Sequence, residues 1–134
     1  MVGMMESRNR IRDALAQGEF ALTFEVLALE VEKPFEESIG PALKLAELVG
    51  ADRRVHGLSV TDRVKSDRDH DPVGIGARIL ATSGTQPIVH LSGKERTAEA
   101  QRRSVEALRA AGLEATLIIT GDKVKRLVEN VFLK

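Results

Sequence analysis

Cysteine is absent from this chain of 134 residues, as are tryptophan and tyrosine, and phenylalanine occurs only 4 times. The first absence excludes disulfides, thiolate metal sites and cysteine nucleophiles. The scarcity of rings leaves little on which nucleobases or a flavin could stack. Neither charge sign dominates: Lys+Arg and Asp+Glu both number 20, so no global field favours nucleic acid or an anionic membrane. No apolar run approaches membrane-spanning length, and residues 1–10 hold no long apolar stretch with a small-residue cleavage site behind it. A cytoplasmic protein with neither nucleic-acid nor membrane partners is the expectation. With 43% apolar and 30% charged residues the composition is that of a globular chain. The length suits a single domain over residues 1–134.

What the chain does have is four apolar runs of strand length, each ending in polar residues and each followed by a helical pattern. They are Phe20–Leu27, Val55–Thr61, Gln86–Leu91 and Ala115–Thr120, the last running into Gly121 and Asp122. One parity is bulky: Leu22, Phe24, Val26; Leu58, Val60; Val89, Leu91; Leu117, Ile119. The other is small or polar: Ala21, Thr23, Glu25; Gly57, Ser59, Thr61; His90, Ser92; Thr116, Thr120, Asp122. Side chains alternate across a strand. The bulky set is therefore expected to pack under helices while the polar set converges on the opposite face.

Between these runs the helix signals are local. Ile11, Ala14 and Leu15 before Gly18 predict a short leading helix over Ser7–Gln17. A charged loop is expected from Glu30 to Glu37, then a helix carrying Leu43, Leu45, Leu48 and Val49 that stops at Gly50. Asp71 has the character of an N-cap, with Pro72 in the first turn. Gly74 and Gly76 then each cost that helix about 1 kcal/mol relative to alanine. Close approach of a ligand or neighbour would explain them, as would a weakly formed helix start. Thr97 caps a helix that buries Val105, Leu108 and Ala111 and stops at Gly112; Val124, Leu127, Val128 and Val131 line a last helix running to Lys134.

The mixed charges from Asp62 to His70 suggest a self-compensated, solvated loop. Within it Asp67, Asp69 and Asp71 have the opening spacing of a calcium loop. Pro72 stands where such a loop needs glycine, and no metal site is expected.

Right-handed crossovers between successive units make the sheet parallel. The expected fold class is α/β: four βα units forming a parallel half-barrel, half of a TIM-type barrel, with an open doubly wound sheet as the alternative. Convergence of polar residues on one face favours the barrel. A complete eight-unit barrel takes about 250 residues. This chain is expected to close one only as a homodimer or with a complementary half.

At the strand ends the chain resembles the methylenetetrahydrofolate reductase family of flavin-dependent barrel enzymes. The resemblance rests on Phe24-Glu25, Leu58-Ser59-Val60-Thr61, Val89-His90-Leu91-Ser92 and Thr120-Gly121-Asp122, in the family's order and at comparable spacing. It covers the first half of a family barrel. It implies hydride transfer from NAD(P)H through FAD to 5,10-methylenetetrahydrofolate. By carry-over Glu25 is the acid that protonates the folate and Asp122 the aspartate near flavin and pterin. Thr61, His90, Thr120 and Gly121 fall at cofactor-binding positions. The chain departs from the family at Ala28-Leu29, where two prolines are usual, and at Lys123, where a longer loop is usual. Each residue also has a plain structural reading: Glu25 as a solvent-facing carboxylate, His90 as a hydrogen-bonded strand-end histidine, Asp122 as a helix cap. The rival expectation for the whole chain is a non-catalytic, truncated or engineered half-barrel scaffold that self-associates.

Overall fold

Local chemistry sets the helix starts. The Asn9 side chain accepts from the Arg12 N–H at 3.1 Å, Asp71 Oδ1 from the Val73 N–H at 3.1 Å, and Thr97 Oγ1 from the Ala100 N–H at 3.1 Å. In the computed structural model, which describes residues 9–27, 32–62, 70–93 and 96–120, these caps open three of five helices. In chain order the elements are α1 (Arg10–Ala16), β1 (Thr23–Val26), α2 (Phe35–Ser38), α3 (Gly40–Ala51), β2 (Gly57–Val60), α4 (Pro72–Ser83), β3 (Ile88–Ser92), α5 (Ala98–Ala110) and β4 (Ala115–Ile119). The expected last helix lies outside the described residues, as do Asp67 and Asp69. None of the helices described is long and apolar enough to cross a membrane.

The strands form one parallel sheet in the order β1-β2-β3-β4. Partnered residues share a face, and the core identifies which. Val26, Leu58 and Val60 pack with Ile39, Ala46 and Val49 of the α3 side and with Ile75 and Ile79 of α4. Val89 and Leu91 continue the same face into Val73, Leu108 and Leu113. Helices α3, α4 and α5 therefore flank one side of the sheet. Beneath it, the Arg10 guanidinium donates to the carbonyls of Val49 (2.9 Å), Gly50 (2.9 Å), Asp52 (3.3 Å) and Val55 (3.1 Å). A cation thus satisfies the orphan carbonyls at the end of α3. The Gln86 amide likewise joins the approach to β3 to the start of β4, donating to Gly112 O (2.9 Å) and accepting from Glu114 N–H (3.0 Å).

Several sequence expectations are corrected. Leu22 and Phe24, expected in the core, are 41% and 47% exposed, because on the edge strand β1 only Val26 reaches the cluster under the helices. The parity of β4 is reversed: Leu117 pairs with His90 and Ile119 with Ser92, while Thr116 pairs with Val89 and Ile118 with Leu91. A one-residue slip exchanges the faces of a strand, and both parities of this strand carry apolar residues. The segment expected as a loop from Glu30 to Glu37 contains most of α2.

Gly50 does not stop α3, which continues to Ala51. A Cβ at Gly50 would stand 2.7 Å from the Ser83 carbonyl oxygen, so glycine is there to let α3 meet the backbone of α4. Gly76 has the same role toward β3, with Val89 Cγ2 2.7 Å from its missing Cβ. Gly74 faces open space.

Gly50→Ala is expected to lower stability by about 1–3 kcal/mol through overpacking, outweighing alanine's better helix propensity. Gly74→Ala should raise stability by about 0.5–1 kcal/mol; urea unfolding of both variants checks the pair. Asp52, at the end of α3, is held down to about 2 from 3.8 by the hydrogen bond from the Arg54 side chain and then by that from its backbone N–H. Its folded-state pKa is depressed, so its contribution is present above 3.8 and lost as pH falls toward about 2. Acid titration of Asp52→Asn should show a shallower loss of stability across that window than the parent chain.

Candidate functional site

The register assembles part of the expected site. Glu25 pairs with Ser59, Ser59 with Ile88, and Val60 with Val89. By alternation along the two chains Thr61 and His90 fall on the face of Glu25, opposite the helix-packed core. Ser59 and Thr61 are buried, His90 is half-buried and Glu25 is exposed. Gly57 and Ser59 are buried on this face, and the Gln86 carbonyl oxygen lies 3.1 Å from where a Cβ on Gly57 would stand. Thr61 closes on the edge strand, its N–H and its hydroxyl both donating to Val26 O at 3.3 Å. Thr120 is placed differently. It lines a cavity of about 220 Å³ with Leu91, Arg96, Gln101, Val105 and Ile118, on the α5 side of β4. Gly121 and Asp122 lie outside the described residues.

At the same end of the sheet stands a charged strut, of which sequence reasoning assigned Asp62 to the solvated loop. The Asp62 side chain is fully buried and that of Arg96 only 16% exposed. Asp62 Oδ2 accepts from the Ser92 N–H at 2.8 Å and Oδ1 from Arg96 Nη2 at 3.1 Å. The end of β2 is thereby fixed to the end of β3 and to the residue preceding the α5 cap. The signal was present in the parity: Leu58, Val60 and Asp62 alternate, which puts the aspartate on the core side.

A second clasp joins the segments that follow β1 and β2. His70 Nε2 lies 3.0 Å from the Lys33 carbonyl, which can only accept, so this nitrogen carries the proton. The His70 ring meets Phe35 edge-on, with centroids 5.4 Å apart, and the Arg78 guanidinium lies 6.0 Å from the Phe35 centroid. Arg78 also forms a bidentate pair with Glu36, and its hydrogen bond holds the Glu36 carboxyl below the usual carboxylate range. Lys33 and the start of α2 are thus held to His70 and to α4.

The face offers a carboxylate, an imidazole and hydroxyls, a set suited to proton transfer and to hydrogen bonding a polar ligand. Among the described residues no group of three or more His, Asp and Glu could hold a metal ion. No protein-family model matches the chain, and no curated protein matches it.

Removing one partner of a buried ion pair leaves the other uncompensated. Asp62→Ala is expected to lower stability by about 3 kcal/mol, and Asp62→Ala with Arg96→Met to restore most of it. Denaturant melts of the single and double variants provide the measurement.

Proposed function

We propose that this chain is one half of a parallel α/β barrel whose polar face supports flavin-dependent reduction of a one-carbon folate. The observation that carries the reading is that Glu25, Thr61 and His90, each from a different strand, share the face left free by α3, α4 and α5. The strand order supports the barrel: doubly wound sheets reverse their order at a switch point, and β1-β2-β3-β4 contains no reversal.

The residues fit such a cofactor in chemistry. Ser59, Thr61 and His90 supply hydrogen-bonding groups at strand ends. Bound FAD would supply the hydride-carrying centre between NAD(P)H and the folate. Thr61 and His90 would orient it, whereas Thr120, on the α5 side of β4, faces away from it. Glu25 would protonate the folate. A carboxylic acid donates a proton near neutral pH only when burial raises its pKa. Glu25 is exposed on an edge strand, so its catalysis requires further strands that cover it. That exposure, with the bare apolar edges, favours the second reading: a scaffold that keeps the strand ends without the chemistry.

Incubation with FAD followed by desalting and NADH addition tests the first reading. Retained flavin absorbance and NADH-driven dye reduction are expected. Glu25→Gln should then lower folate reduction by ~10²-fold or more while leaving flavin reduction by NADH unchanged. A colourless protein without dye reduction would transfer the argument to the scaffold.

A further inference from the structure

Large apolar side chains that remain exposed gather at the two edges of the sheet. Phe20 is 86% exposed and Phe24 47% on the β1 side; Leu117 is 46% and Ile118 77% exposed on β4. Beside β4 lie two cavities of about 440 Å³ each, one on the α5 side under Ile118 and Val105, the other between Leu117 and Leu15 of α1. Soluble proteins blunt edge strands with charge, proline or bulges. The β4 sequence Ala115–Ile119 has neither charge nor proline, and β1 carries Glu25 alone.

We infer that the partner for these edges is a second copy of this chain, with β4 of each copy pairing parallel to β1 of the other; the inference rests on the barrel reading but not on the flavin. The geometry selects this mode. A twofold axis perpendicular to the strands would join two β1 edges antiparallel and leave both β4 edges bare. A twofold axis parallel to the strands presents β4 to the other copy's β1 at two seams at once. Eight strands then close with no edge remaining.

The parities also match. On the helix-bearing side, Ile118 meets Leu22 and Phe24 of the second copy, burying the three together. On the inner side, Leu117 and Ile119 come beside Thr23 and Glu25 of the second copy. Two apolar side chains from one copy thus cover the carboxyl group of the other, and each site is completed across a seam.

The chain's lack of cysteine permits a clean test. Phe24→Cys and Ile118→Cys are made separately and treated with a bismaleimide reaching about 10 Å, roughly three residues of strand rise. Cross-linked dimer is expected from the mixture of the two variants and far less from either alone. Light scattering should show a dimer for the parent chain and a monomer for Ile118→Asp, whose exposed position is expected to leave the circular dichroism spectrum unchanged. Cross-linking of Phe24→Cys with itself, or a parent chain monomeric at every concentration, would overturn the inference. Flavin absorbance separates the two proposals: a colourless dimer with the mixed cross-link retains the pairing and removes the cofactor, and a monomer that holds flavin does the reverse.

Discussion

The handedness of the βα crossover governs this molecule. Each connection between neighbouring parallel strands is constrained to the right-handed path, and the strands follow one another across the sheet in chain order. Every crossover therefore advances in the same direction and delivers its helix to the same side. The asymmetry of the sheet follows. One face receives Val26, Leu58, Val60, Val89 and Leu91 and is sealed by α3, α4 and α5. The other receives Glu25, Ser59, Thr61 and His90, and none of α3, α4 and α5 packs there.

Within that plan, helix spacing is set by missing side chains and strand-end geometry by a buried charge pair. Gly50 brings α3 onto the backbone of α4 at Ser83, and Gly76 brings α4 onto Val89. Neither contact tolerates a methyl group without movement, so the two glycines fix how closely the helical layer follows the sheet. At the other end, Asp62 and Arg96 occupy space that apolar side chains would fill at no electrostatic cost. The pair binds in specified directions, and the Ser92 N–H it engages is otherwise the end of a ladder. Its contribution is to the placement of the strand ends rather than to the depth of the core.

The alternation of α and β, the parallel sheet and the caps at Asp71 and Thr97 were legible because each depends on a few adjacent residues. What escaped depended on partners distant in the chain. Leu22 and Phe24 have the pattern of core residues, yet on this edge strand the helical layer reaches only Val26. Ala115–Ile119 has apolar residues on both parities, so only backbone pairing with β3 decides which face is which. Gly50 ends a helix as naturally as it admits a neighbour, and the choice lies with Ser83. Asp62 followed the alternation of its strand, but the surrounding charges concealed it. For the site, Glu25, Thr61 and His90 were placed on one face correctly, whereas Thr120 shared the error in β4.

The four carbonyls gathered by Arg10 tie the leading helix to the middle of the chain. The bonds bridge α1 to acceptors at separations of 39 to 45 residues, two within the last turn of α3 and two on the way to β2. One guanidinium therefore makes the seat of α1 and the end of α3 a single unit: displacing α1 uncovers four carbonyls at once, so the two are expected to open together rather than one by one.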